Sequence, residues 1–308
     1  MILSICPNPS IDCTIELDSL NVGKLNRIDN KVETYSGKAL NVAIGVGRLN
    51  KKCIATGFMF ENHHIMFEHV LDKECVKHDF VLEKGDARVN YKIIDKKSML
   101  TEINDRGAEV CREKQLELIK KVKELSSNCD IVVMSGSLPK GVSSDFYGEV
   151  LSVVPEGVKI IIDAEKDSVL SATDKSKVFM VKPNLAELEK FSGTTVNDKI
   201  GAVKAAKKYI ELGIKYVLIS LGSEGAILTD GTNNFYCKSA SVAVNSTVGA
   251  GDSMVAAASI ALEEGLSMEE LLLSSVAAGT AAVTTSGTNL FYKDKYDEIY
   301  SKIFVEKF

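Results

Sequence analysis

Short, nearly continuous apolar runs alternate along this chain with stretches of helical periodicity. Ile2–Cys6, Cys53–Phe58, Ile131–Met134, Lys159–Asp163, Val178–Val181 and Tyr216–Ser220 are the apolar runs. Their length and lack of polar alternation predict strands buried on both faces. Between them, Leu40, Ala43, Ile44, Val46 and Leu49 fall at the spacing of a buried helix. Further helices are predicted over Ile65 to Cys75, Glu113 to Ser126, from Ser144, after Asp163, over Leu185 to Phe191 and over Lys199 to Leu212. Such strand–helix alternation predicts an α/β fold with a mostly parallel sheet covered on both faces.

Other segments break this rhythm. Cys13 to Tyr35 is polar and β-like, and strands are predicted over Asp79 to Leu82, Ala87 to Ile94 and Met99 to Ile103. The last two alternate in character and are joined by the charged turn Asp95, Lys96, Lys97, the mark of a two-sided antiparallel hairpin. Segments 13–35 and 86–104 therefore predict a small β layer outside the main sheet, within one domain spanning residues 1–308. The tail, Ser267 to Ser286 and Lys293 to Phe308, reads as two packing helices.

In α/β sheets, ligands gather where strands end. The loops after the predicted strands read SGSLPKG, KPNLAE, SLGSEG and finally STVGAGD. All are rich in Ser, Gly, Lys or Asn, which suits phosphate. In STVGAGD, Thr247, Gly249, Ala250 and Gly251 precede Asp252 and a helix predicted over Ser253 to Glu264, closed by Gly265. Glycines before a helix leave its first N–H groups free for an anion. Asp252 then has two readings. It caps the helix, contributing about 1 kcal/mol, or it is a general base beside a phosphate. The stretch alone leaves both open.

Composition narrows the setting. A chain of 308 residues with 45% hydrophobic and 26% charged residues can bury a sizeable core. A net charge of −5 gives no long-range attraction to nucleic acid or an anionic membrane, so an anionic substrate must be held by local Lys and Arg. Seven scattered cysteines without a CxxC pair, no basic leader and no apolar run of bilayer length predict a soluble, cytoplasmic protein with reduced thiols. His63, His64, His69 and His78 lack metal-binding spacing. There is no P-loop, no complete dinucleotide fingerprint and no GxSxG.

Five ordered motifs, SGKALNVA, SGSLPKG, KPNLAE, SLGSEG and STVGAGD, resemble the PfkB (ribokinase-like) family of sugar kinases over nearly the whole chain. The resemblance implies a three-layer α/β/α sandwich with a mostly parallel central sheet and a small β-sheet lid. It also implies transfer of the γ-phosphoryl group of ATP, with Mg2+, to a sugar hydroxyl. NPSID, LNR, ARVNYKI and TEINDRGAEV are most similar to the branch acting on ketohexose phosphates. Fructose 1-phosphate is then the expected acceptor, with tagatose 6-phosphate and fructose 6-phosphate as alternatives.

The resemblance also implies roles residue by residue. Asp252 is the base, and Gly249, Ala250 and Gly251 form the anion hole. Thr247, Ser220, Gly222 and Gly225 contact the nucleotide, as do Lys182 and Asn184. Glu187 organises Mg2+ through water, unless it serves only as a favourable charge at a helix start. Asp12, Gly37, Asn41 and Ser137 contact the sugar, while Lys38, Arg27 and Arg88 supply charge for its phosphate, with Lys24 a weaker candidate. The lid closes over the sugar and can pair two subunits into a homodimer.

Two departures stand out. Where the branch usually reads GGKG, this chain has Ser36, Gly37, Lys38 and Ala39. Where it usually has two glycines, this chain has Met59 and Phe60. Glycines lost from positions of positive φ or close approach predict a narrowed or strained acceptor pocket, hence altered acceptor choice or weakened activity. Two other readings remain: a kinase of an unphosphorylated sugar or nucleoside, and a regulatory ligand-binding protein on the same scaffold.

Overall fold

The apolar runs pair as the sequence predicts. In the computed structural model, which describes residues 1–97, 99–285 and 290–308, Ile2–Cys6 is an interior strand, parallel to Cys53–Phe60 on one side and to Ile131–Ser135 on the other. Its five residues are all buried. The sheet continues in parallel through Lys159–Asp163, Val178–Val181 and Tyr216–Ser220. Helices cover it, and among the described residues none is long and apolar enough to cross a membrane.

Helix Lys38–Arg48 and helix Ala250–Glu263 pack against each other unusually closely. A Cβ at Gly45 would stand 2.8 Å from the Ala256 Cβ. Only a glycine permits that approach, and it brings the first turns of the two helices together at the end of the sheet.

Two regions depart from the predicted pattern. Beyond Tyr216–Ser220 the sheet is extended by antiparallel strands, Ala226–Thr229, Asn234–Cys237 and Val305–Lys307. The second tail helix, predicted to reach Phe308, therefore ends at Tyr300. Strands of three or four residues carry too little periodicity to be read. The first tail helix is Met268–Ala282, and its predicted last residue, Ser286, lies outside the described residues. The strand expected over Asp79 to Leu82 is two pieces, Lys77–His78 and Val81–Glu83, both parallel to Cys53–Phe60.

The small layer is a four-stranded sheet in the order Asn30–Ser36, Ser10–Leu17, Arg88–Asp95, Leu100–Asn104. The predicted hairpin is present, with Arg88–Asp95 antiparallel to Leu100–Asn104. The sheet begins earlier than expected, at Ser10, so Asp12 lies within its second strand.

Candidate active site

Helix Ala250–Glu263 starts two residues before Asp252, with Gly249 in the left-handed region at φ 80°. Asp252 is therefore inside the first turn, and no side chain caps the helix. Asp252 therefore does not occupy the N-cap position, which is Gly249. Asp252 is instead 8% exposed, and its Oδ2 accepts a hydrogen bond of 2.8 Å from Asn41 Nδ2 in the facing helix. Burial, reinforced by the nearby charge of Asp163, pushes its carboxyl up to about 6, while Lys38, Asn41 and Lys182 pull the other way.

Asp163 ends its strand between two ammonium groups. Lys38 Nζ lies 3.4 Å from one of its oxygens and Lys182 Nζ 3.6 Å from the other. Burial alone would raise the Asp163 carboxyl, but Lys182 and Lys38 outweigh it and hold it below its ordinary value. Asp163 in turn raises the Lys38 ammonium, so that lysine stays charged. The Lys182 ammonium also lies against the helix start, since a Cβ at Gly251 would be 3.1 Å from its Nζ. Two cations and the free N–H groups of one helix thus converge on one spot, a seat for a highly charged anion.

The facing wall comes from the small sheet. Alternate residues of a strand share a face, so Ser10 and Asp12, Arg88, Asn90 and Lys92, and Glu102 and Asn104 line the cleft from three neighbouring strands. Asp12 is 6% exposed. It accepts from Asn90 Nδ2 at 3.0 Å, from Lys92 Nζ at 3.3 Å and from Ser10 Oγ at 3.4 Å. Arg88 donates to the Asn8 carbonyl at 3.2 Å, and burial lowers its pKa.

At the other end, Asn184 and Glu187 form a capping box. The Asn184 side chain accepts from the Glu187 N–H at 2.8 Å, and Glu187 Oε2 accepts from the Asn184 N–H at 2.9 Å. The helix-start reading of Glu187 is thus realised, with one carboxylate oxygen engaged. Gly225 has to be a glycine, because a Cβ there would lie 2.0 Å from the Cys237 carbonyl oxygen. Val242, Val244, Val276 and Val283 give this end an apolar wall.

Together these walls enclose about 1150 Å³. Every site residue predicted from sequence lines this one cleft except Arg27, Ser137 and the weaker candidate Lys24. Arg27 is exposed in the segment joining two lid strands. Ser137 Oγ accepts from Asn8 Nδ2 at 3.4 Å, within a neighbouring loop. Lys24 is exposed as well. Sequence reading missed Asp163, Asn90, Lys92 and Glu102. Asp163 had a signal, as a carboxylate closing an apolar strand, and Lys92 had one in its period-2 spacing from Arg88.

The strain expected from the four departures is absent. Among the described residues other than glycine, only Asn50 and Cys75 have positive φ. Met59 and Phe60 are fully buried core residues off the cleft, and Ala39 is buried too. The close approach in this strand falls on Gly57 instead, where a Cβ would lie 1.9 Å from the Cys6 carbonyl oxygen. Only Ser36 lines the cleft.

The match described as "pfkB family carbohydrate kinase" spans residues 7–295. The 1-phosphofructokinase of Borreliella burgdorferi is 35% identical over 285 residues, 91% of each chain. The tagatose-6-phosphate kinase of Staphylococcus epidermidis is 32% identical over 308 residues, 98% of each chain. Among solved structures, phosphofructokinase-2 from Escherichia coli in complex with substrates and products superposes with a TM-score of 0.91 at 29% identity, covering 98% of both chains.

Proposed function

This chain belongs to the pfkB family of carbohydrate kinases, phosphotransferases acting on a sugar hydroxyl, and from that premise we propose that it phosphorylates a ketohexose phosphate, with fructose 1-phosphate the first acceptor. The observation that carries this reading is Asp252, buried, held by Asn41 and flanked by Lys38 and Lys182 at a glycine-led helix start. Phosphoryl transfer needs alignment and charge stabilisation more than covalent chemistry. A carboxyl lifted to about 6 suits a base that works near neutral pH.

In this reading the acceptor lies against the small sheet, its hydroxyls on Asp12 and its phosphate toward Arg88 and Lys92. Asp252 takes the proton of the attacking hydroxyl. The N–H groups of Gly249–Gly251, with Lys38 and Lys182, bind the transferring phosphoryl group and its developing charge. The nucleotide lies along Asn184, Ser220, Gly222 and Gly225 toward the valine wall.

The family implies Mg2+ with ATP, and the donor set fits an ion carried by the nucleotide. No group of three or more His, Cys, Asp or Glu among the described residues could hold a metal. Glu187 keeps Oε1 for water, with Oε2 engaged in its capping box. When bound, Mg2+ would draw negative charge off the phosphates.

We read the chain as one kinase domain with the small sheet as its lid. Val22, Leu25, Val32, Tyr91 and Ile103, exposed on or beside that sheet, support pairing of two lids in a homodimer. The acceptor is tested by coupled ADP release with fructose 1-phosphate, tagatose 6-phosphate, fructose 6-phosphate and fructose. The expected result is the highest kcat/KM with fructose 1-phosphate and little turnover of fructose. Preference for fructose would refute the sugar-phosphate assignment, and ATP binding without turnover of any acceptor would favour a regulatory role.

A further inference from the structure

Ser36 is the one departure from the usual glycines that reaches the cleft, and it reaches Asp252 through one intermediary. It ends strand Asn30–Ser36 and is 2% exposed. Its Oγ donates to Asn41 Oδ1 at 3.3 Å, and Asn41 Nδ2 donates to Asp252 Oδ2 at 2.8 Å. Asn41 is itself only 6% exposed. An ionised carboxylate only accepts, so the Asn41 amide must turn its NH2 toward Asp252. That leaves Oδ1 facing the other way, and Ser36 is its hydrogen-bond donor.

We propose that Ser36 is a positioning residue for the base: its hydroxyl locks the Asn41 amide in the orientation that hydrogen-bonds ionised Asp252. This rests on the reading of Asp252 as the base. A glycine at position 36 would leave Oδ1 as a buried acceptor without that donor, and the amide would be freer to rotate away. The other groups facing Asp252 come from separate places. Lys38 lies on the same helix as Asn41, Asp163 at its strand end, and Lys182 in the loop after the next strand. The Ser36 hydroxyl hydrogen-bonds Asn41, whereas Lys38 and Lys182 are paired with Asp163, so removing the hydroxyl leaves those ion pairs in place.

The Asn41 hydrogen bond favours the charged form of Asp252, so weakening it raises the pH at which the base loses its proton. The test is the pH profile of kcat at saturating ATP and acceptor for the parent, Ser36→Ala and Ser36→Gly. Both variants should shift the acid limb upward by about half a pH unit, a roughly threefold loss of kcat on that limb, with the plateau at high pH unchanged. Two substitutions separate hydroxyl from packing, because alanine keeps the Cβ and glycine removes it. Superimposable limbs, or a shift in Ser36→Ala alone, would overturn the proposal. So would a change confined to the acceptor KM, which would make Ser36 a substrate contact. Asp252→Asn is measured alongside. If it keeps substantial turnover, the base assignment fails and this inference with it. If it is inactive while the Ser36 limbs stay put, this inference alone fails.

Discussion

The two walls of the cleft carry charge in different ways. On the main-sheet wall, Asp163 is buried between Lys38 and Lys182, beside buried Asp252 and the start of a helix. These groups sit at strand ends and in first helical turns, where the backbone is fixed by parallel pairing. On the lid wall, Asp12 and Glu102 alternate with Arg88 and Lys92 across three strands. That wall balances its charges on a thin sheet whose outer parts are exposed. The first arrangement suits stabilising a transition state, and the second suits recognising a substrate. Lesions in the first should therefore lower kcat, and lesions in the second should raise the acceptor KM.

The largest effect is expected at Asp252. Asp252→Asn should lower kcat by about 10² to 10⁴, the usual worth of a general base, with ATP affinity by calorimetry unchanged. Next is Lys182→Met, which removes an ammonium from the helix start. It should cost roughly 10² or more in kcat, as loss of a preorganised charge stabiliser does, and affect the acceptor KM little. On the lid wall, Arg88→Ala and Lys92→Met should each raise the KM for a sugar phosphate on the order of tenfold, as expected for a lost charged hydrogen bond. Their kcat should stay near the parent value. A Lys92 variant that lowers kcat with KM unchanged would blur the division between the walls.

The division also explains what could be read from sequence. The main-sheet wall was legible because its residues sit in contiguous motifs, KPNLAE, SLGSEG and STVGAGD, the first two at the ends of apolar strands and the third at a helix start. Asp163 escaped because its importance lies in the two lysines that meet it, from helix Lys38–Arg48 and from Lys182, both distant in sequence. The lid wall was half legible. Arg88 and Asp12 stood in recognisable stretches, but Asn90, Lys92 and Glu102 become cleft residues only once strand register is known, since a one-residue slip would turn them outward. The same reasoning covers Met59 and Phe60. Their strand is apolar except for Thr56, so periodicity could not show that both are buried in the core. The antiparallel edge at Ala226–Thr229, Asn234–Cys237 and Val305–Lys307 was missed because such short strands have no pattern of their own.

The smallest expected catalytic effect follows from that correction. Met59→Ala should lower unfolding stability by about 2 to 5 kcal/mol, as large-to-small core substitutions do, while leaving the acceptor KM unchanged below the unfolding temperature. A changed KM would return Met59 to the pocket.

The most direct test of a buried, Asn41-held Asp252 as the base is the pH dependence of kcat/KM for the parent, which reports the pKa values of the enzyme before substrate binds. Burial lifts this carboxyl to about 6. The base is therefore ionised and active above that pH, and protonated and idle below it. A plateau near neutral pH, with kcat/KM falling about tenfold per pH unit below pH 6, is the predicted result. A profile that stays flat down to pH 5 would contradict it.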